Sequence, residues 1–128
     1  MKIFITGIAG FLGSNLANHY IDKGYEVSGC DNLTGGDMSN VNKNAKFFKG
    51  DCENLDFMTE AIKGNEVVCH AAAFAHEGLS SVSPTLICAN NLTGSVAVFT
   101  ASIRNKVKRI VFCSSMARYG FLKPPFKE

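Results

Sequence analysis

The sequence lacks three features that would each indicate a particular class of protein. None of its five cysteines forms a Cys-x-x-Cys pair, so we predict no zinc site and no other metal. No run of lysine and arginine could line a nucleic-acid groove, and the net charge is only +2. Glycines at positions 7, 10 and 13 break the apolar N-terminal stretch, so we expect no targeting segment and no membrane span. These absences favour a cytoplasmic protein with reduced thiols.

Short apolar runs alternate with helical patterns along all 128 residues. Strands are predicted at Lys2–Thr6, Glu26–Cys30, Ala45–Lys49, Glu66–His70 and Arg109–Cys113. Helices are predicted at Phe11–Lys23, Leu55–Lys63 and Pro84–Asn105, with loops at 32–45 and 74–83. Nearly continuous apolar strands are typical of a parallel sheet that is covered on both faces. We therefore predict one α/β domain over 1–128, a Rossmann-type doubly wound parallel sheet with strand order 3-2-1-4-5.

A glycine motif, Gly7-Ile-Ala-Gly-Phe-Leu-Gly13, lies between the first predicted strand and the first predicted helix. Glycines at such a place allow a tight turn, close approach of the backbone to a pyrophosphate, and close packing of helix on sheet. The helix N-terminus would also attract the phosphates. The residues expected to contact a cofactor here are Gly7, Ala9, Gly10, Phe11 and Leu12. The alternative is an ordinary strand–helix turn.

Asp31 follows the second predicted strand. A carboxylate there can accept both ribose hydroxyls of an adenosine and would repel a 2′-phosphate, which favours NAD over NADP. The alternative is that Asp31 is an ordinary loop residue.

The segment TGIAGFLG resembles the opening of the extended short-chain dehydrogenase/reductase superfamily, in its NAD-dependent epimerase/dehydratase family. The resemblance continues in Asp31-Asn32, Gly50-Asp51, His70-Ala-Ala, Asn90-x-x-x-Gly94 and the serine segment Cys113–Gly120. It implies that NAD is also contacted by Asn32, Asp51, Cys52, Ala71, Ala72, Ala73, Asn90 and Cys113. It also implies that Ser115 is catalytic.

Several of these residues have a structural interpretation as well. One of Asn90 and Asn91 could simply face solvent, and Ser115 could be a turn or helix-capping serine. His70 is expected to be a hydrogen-bonded histidine at a strand end rather than a catalyst.

Residues 119–123, YGFLK, match the catalytic Tyr-x-x-x-Lys of the family. That pair needs a helix, whereas Gly120, Pro124 and Pro125 oppose one. In the family the catalytic tyrosine lies roughly 25 residues after the serine, which from Ser115 falls near position 140. We therefore expect a coincidental match in a loop, and a chain that stops before the catalytic helix and the substrate domain.

The resemblance implies a nucleotide-sugar substrate, of the UDP or dTDP class, whose sugar is oxidised and re-reduced by hydride transfer. The dehydratases of the family carry two acids where this chain has Met116 and Ala117, so epimerisation is favoured. The alternatives are a non-catalytic NAD-binding module or inactive fragment and, less favoured, a dehydratase or an NADP-dependent reductase. An edge strand with apolar neighbours predicts self-association or a homodimer.

Overall fold

The computed structural model describes residues 1–127, apart from the side chain of Glu77, and contains a five-stranded parallel sheet. The strands are β1 (Lys2–Thr6), β2 (Glu26–Asp31), β3 (Lys46–Lys49), β4 (Val67–His70) and β5 (Arg109–Phe112). Their order is β3-β2-β1-β4-β5, and every neighbouring pair is parallel. The predicted fold class and strand order are therefore confirmed.

Three strands end at one level on the carboxyl edge of the sheet. Thr6 of β1 is in register with Cys30 of β2 on one side and with His70 of β4 on the other. The loops that follow these strands consequently leave from the same edge, which is where ligands bind in open sheets of this kind.

The described residues form five α-helices: α1 (Phe11–Asp22), α2 (Leu55–Ile62), α3 (Glu77–Val82), α4 (Pro84–Ile87) and α5 (Gly94–Arg104). Short 3₁₀ turns lie at Met38–Asn40 and Met116–Tyr119. A π-helical turn, Cys88–Thr93, joins α4 to α5 in one continuous helix. The structure corrects two expectations: the predicted loop at 74–83 contains α3, and the predicted long helix is π-helical in its middle.

Side chains alternate across β1 and build a core on each face of the sheet. Ile3 and Ile5 pack with Ala17 of α1 on one face, whereas Phe4 packs with Met58 of α2 and Val98 of α5 on the other. Burial of each large apolar side chain contributes roughly 1.5–3 kcal/mol. The two cores hold α1 and α5 on opposite faces, as a doubly wound sheet requires.

By length and composition alone, the continuous helix Pro84–Arg104 could cross a membrane. Ala97, Val98 and Ala101 on that helix are buried in the protein. A core helix passes the same test of length and composition, so its apolar character has an explanation within the fold.

The β5 edge leaves an apolar surface uncovered. Val96 and Ile103 of α5 are 54% and 74% exposed, and Val111 and Phe112 of β5 are 46% and 51% exposed. We call these four residues the β5–α5 surface. The edge position of β5 was predicted from the sequence and is confirmed.

Candidate functional site

The glycine motif forms a tight loop between β1 and α1. Gly7 has φ +71°, and its N–H donates to the carbonyl of Cys30 at 2.8 Å. A Cβ at Gly7 would lie 2.9 Å from the Cα of Ala72, so the loop closes against the segment that follows β4. At Gly13 a Cβ would lie only 2.1 Å from the carbonyl oxygen of Gly7. Glycine is therefore required at both positions, one for the turn and one for the approach of α1 to the loop.

Helix α1 begins at this loop without a side-chain cap. Gly10 is its N-cap, no side chain accepts a hydrogen bond from the first turn, and no acidic residue lies there. Phe11 at the first position is 87% exposed. The free N–H groups and the positive end of the helix dipole therefore face outward, as a phosphate site requires.

Asp31 connects the glycine loop to the loop after β2. Its carboxylate accepts hydrogen bonds from the backbone N–H of Ala9 at 3.1 Å and of Leu33 at 2.8 Å. The carbonyl of Ala9 accepts from the N–H of Asp37 at 3.0 Å and from the side-chain amide of Asn40 at 2.9 Å. Ala9 is fully buried, and it contributes to the site through its hydrogen-bonded backbone. The carboxylate of Asp31 keeps lone pairs free for a ligand.

Asn32 and Asp51 meet at the ends of β2 and β3. The amide of Asn32 donates to the Asp51 carboxylate at 2.5 Å, and its oxygen accepts from the N–H of Thr34 at 2.9 Å. Gly50 lies beside them and packs on the ring of Phe57, where a Cβ would lie 2.5 Å from the nearest ring atom. The polar edge of the site is therefore ordered by its own hydrogen bonds.

Two thiols lie near this edge. A hydrogen bond with Cys52 and burial raise the pKa of the Cys30 thiol well above its usual range. A thiol of raised pKa is a poor nucleophile at neutral pH. All five cysteines are free in this structure.

His70 ends β4 beneath the site and is only 2% exposed. Its Nδ1 lies 2.7 Å from the hydroxyl oxygen of Thr6, and its Nε2 lies 2.9 Å from that of Ser95. Burial lowers the pKa of His70 to about 4. The imidazole is therefore neutral at physiological pH, and the expectation of a hydrogen-bonded strand-end histidine is confirmed.

The π turn places two adjacent asparagines against the segment that follows β4. The side chain of Asn91 accepts from the N–H of Phe74 at 2.8 Å and donates to the Phe74 carbonyl at 3.1 Å. The amide of Asn90 donates to the Asn91 oxygen at 2.8 Å. For Asn91, the alternative of a side chain that simply faces solvent is wrong. Nothing in the sequence indicated a role for this residue.

A cleft of about 470 Å³ opens at the carboxyl edge of the sheet. The predicted residues that line it are Gly7, Gly10, Phe11, Leu12, Asp31, Asn32, Cys52, Ala72, Ala73 and Asn90. The lining residues that were not predicted are Cys30, Gly35, Gly36, Gly50, Phe74, Ala75 and His76. Most of these additional residues are small or contribute backbone, and such positions carry no chemical signal in a single sequence.

Five predicted residues lie outside this lining: Ala9, Asp51, Ala71, Cys113 and Ser115. The N–H of Ala71 donates to Thr6, and the N–H of Cys113 donates to the carbonyl of His70. The hydroxyl of Ser115 accepts from the N–H of Ala117 at 3.1 Å and caps the following 3₁₀ turn. Ser115 is exposed, and its side chain caps a turn in this structure.

Tyr119 and Lys123 do not share a helical face. Tyr119 ends a 3₁₀ turn, Gly120 follows with φ +58°, and the ring of Tyr119 stacks on Phe126 at 4.8 Å. The match to Tyr-x-x-x-Lys therefore lies in a non-helical segment, as expected.

Nearly the whole chain matches one known protein family. The model of the NAD dependent epimerase/dehydratase family matches residues 3–128. The chain belongs to this family. NAD is the family's cofactor, and the cleft lies where a parallel sheet of this order binds dinucleotides.

Individual relatives in the family are UDP-glucose 4-epimerases. The chain is 38% identical over 122 residues to the enzyme of Streptomyces lividans. This match covers 93% of this chain and 37% of that protein. The crystal structure of the Thermotoga maritima enzyme with UDP-glucose superposes with a TM-score of 0.93 at 34% identity, covering 98% of this chain and 42% of that one. The Thermus thermophilus enzyme in complex with NAD gives a TM-score of 0.93 at 31% identity, covering 100% and 42%. The chain thus spans about 40% of the length of these relatives.

Proposed function

We propose that this chain supplies the cofactor-binding part of a nucleotide-sugar 4-epimerase and binds NAD in the cleft at the carboxyl edge of the sheet. The observation that carries the proposal is the pairing of two features in one cleft. The uncapped start of α1 suits a pyrophosphate, and the Asp31 carboxylate suits a ribose diol.

Each part of NAD has suitable residues in this arrangement. Gly10 and the first turn of α1 would hold the phosphates, and Asp31 would accept the adenosine ribose hydroxyls. Asn32 and Asp51 would contact the adenine, and the segment Ala71–Ala73 with Asn90 would lie beside the nicotinamide. No lysine or arginine occurs between residues 32 and 40, so nothing in that loop would neutralise a 2′-phosphate.

The proposed reaction takes a UDP- or dTDP-sugar as substrate. When bound, NAD would supply the acceptor for a hydride from the sugar and the donor that returns it to the opposite face. The proton of the sugar hydroxyl would pass to the catalytic tyrosine that the family resemblance implies after Ser115, and would return from it with the hydride. Ser115 would donate a hydrogen bond to the reacting sugar oxygen. The hydroxyl can donate that hydrogen while its oxygen still accepts from the N–H of Ala117.

A second candidate is an NAD-binding module without turnover. It is favoured by the non-helical setting of Tyr119 and Lys123 and by the position of Ser115 outside the cleft lining. Interconversion of UDP-glucose and UDP-galactose by the 128-residue chain would exclude the module, whereas absence of turnover is expected of both candidates.

Substitution of Asp31 tests the proposed cofactor site. In calorimetric titration, Asp31→Ala should bind NAD about tenfold more weakly or worse, because a hydrogen bond to a charged group contributes about 1.5–3 kcal/mol. The same variant should lose the preference for NAD over NADP. Asp22→Ala, at the exposed end of α1, changes the net charge equally and should bind as the unmodified chain does. Equal NAD affinity in the two variants would contradict the assignment of Asp31.

The β5–α5 surface leads us to propose that the chain self-associates. Light scattering at high concentration should give a mass above that of one chain, because apolar surface of this kind is covered in stable soluble proteins. The double variant Val96→Lys/Ile103→Lys should move the mass toward the monomer. Met38→Lys adds a lysine at a partly exposed residue of the loop after β2 and should leave the mass unchanged. A monomeric unmodified chain at high concentration would refute the proposal.

A further inference from the structure

His70 has no place in the proposed NAD contacts, yet it lies in a hydrogen-bonded chain that is buried in the core. Thr6, His70 and Ser95 come from β1, β4 and α5, and all three side chains are buried. Polar groups buried in a core reduce stability unless they are fully paired. The polar side-chain atoms of these three residues are all hydrogen-bonded, and the donor and acceptor of each bond are fixed.

The hydroxyl of Thr6 fixes the proton on one side of the imidazole. Its oxygen accepts hydrogen bonds from the N–H groups of Ala71 and Ala72, both at 3.1 Å. A hydroxyl oxygen has two lone pairs, so both are used. The Thr6 hydrogen must therefore point to Nδ1 of His70, which accepts it.

The hydroxyl of Ser95 fixes the proton on the other side, by independent contacts. Ser95 donates its only hydrogen to the carbonyl of Asn91 at 2.5 Å, and a carbonyl can only accept. Nε2 of His70 must therefore donate to Ser95. Both sides require the same neutral tautomer, with the proton on Nε2.

This chain of hydrogen bonds ends in the π turn. π turns are rare, and they often mark functional sites in long helices. The carbonyl that receives the Ser95 hydroxyl belongs to Asn91, whose side chain holds both backbone groups of Phe74. Asn91 also accepts from Asn90, which lines the cleft together with Phe74.

We propose that His70 is a positioning residue whose Nε2–H tautomer orients Ser95, and through it the π turn, so that Asn91 holds Asn90 and Phe74 in one wall of the cleft. At its Thr6 end the same chain holds the N–H groups of Ala71 and Ala72. The importance of this wall for NAD rests on the proposed function, whereas the geometry can be tested without a ligand.

Ser95→Ala tests the proposal on the apo chain. Ser102→Ala is the matched control, because Ser102 is also buried on α5 and also donates to the carbonyl four residues earlier, but has no hydrogen bond with His70. Hydrogen exchange at the Phe74 amide should accelerate about tenfold in Ser95→Ala, the equivalent of one hydrogen bond. The exchange rates of the β1 amides report global stability, so any change in those rates is subtracted from the change at Phe74. In Ser102→Ala the exchange rate at Phe74 should change only as much as the rates of the β1 amides change.

Nitrogen-detected NMR of the imidazole gives a second readout. The unmodified chain should show the proton on Nε2, and Ser95→Ala should change the Nε2 signal. A proton on Nδ1, or Phe74 exchange in Ser95→Ala that merely follows the β1 amides, would overturn the proposal.

NAD titration of the same variants separates this inference from the proposed function. Ser95→Ala should weaken NAD binding about tenfold, with Ser102→Ala unchanged. If the unmodified chain fails to bind NAD, the proposed function fails, and the exchange and NMR results still decide the role of His70. If the unmodified chain and Ser95→Ala bind NAD equally, the claim that this wall contacts the cofactor is wrong.

Discussion

Gly13→Val should lower the free energy of unfolding by about 3 kcal/mol or more, at the upper end of overpacking effects. A Cβ at this position would meet three backbone atoms: the Gly7 oxygen at 2.1 Å, the Gly7 carbonyl carbon at 2.7 Å and the Ile8 Cα at 2.9 Å. None of these can rotate away as a side chain would. Relief requires α1 to move off the glycine loop, which displaces the phosphate end of the cleft.

Urea unfolding of Gly13→Val and Gly13→Ala measures this effect. Gly78→Ala in α3 is the control, since a Cβ there meets nothing within 4 Å, and it should be neutral or slightly stabilising. Stability of Gly13→Val within 1 kcal/mol of the unmodified chain would show that α1 packs differently from the structure described above.

The second large effect is a loss of stability between pH 6.5 and 4 that comes from His70. Its pKa is about 4 in the folded protein and 6.5 in the unfolded chain, so the unfolded state binds a proton first as the pH falls. Stability is therefore fully present above pH 6.5 and declines by roughly 3 kcal/mol as the pH approaches 4. The side chains in contact with the imidazole are Thr6, Ser95, Phe99 and Phe112, none of which is charged.

The urea midpoint measured from pH 7 to pH 4.5 tests this linkage. His70→Phe should be less stable at pH 7 but should show little dependence on pH across that range. His19→Gln, on the exposed part of α1, should keep the slope of the unmodified chain. Measurements stop at pH 4.5 because Lys108 and the backbone N–H of Lys2 lower the pKa of Glu66, whose stabilisation is lost below that range. A flat profile for the unmodified chain would contradict a neutral buried His70.

The strands of this fold were predictable because they are short, mostly apolar runs, four of which end at a polar residue. The helix α3 was not, because Glu77–Val82 reads EGLSSV, and glycine and serine are weak helix formers. In the structure this segment contacts α4, which a propensity argument does not include. The π turn escaped prediction as well, since hydrophobic periodicity is too coarse to detect one widened turn within a long helix.

The cleft shows the same division. Asp31 and the glycines carry a spacing that can be read from the sequence, and the structure places them in one cleft. The pairing of His70 in β4 with Ser95 in α5 spans 25 residues, and neither residue has a distinctive neighbourhood in the sequence. Asn90 and Asn91 are adjacent and identical, so only the fold could show which of them holds Phe74.

The hydrogen bonds at Ala9 make the two sides of the cleft mechanically unequal. Ala9 ties the glycine loop to Asp31, Asp37 and Asn40, so the side nearest β2 moves as one piece with the sheet. The opposite side, at Phe74, is held by the two hydrogen bonds of one asparagine side chain. Breaking the two hydrogen bonds at Phe74 requires less free energy than breaking the three at the fully buried Ala9, so we expect a bound cofactor to leave past Phe74. The residence time of the cofactor would then depend on Asn91, a residue that need not touch it.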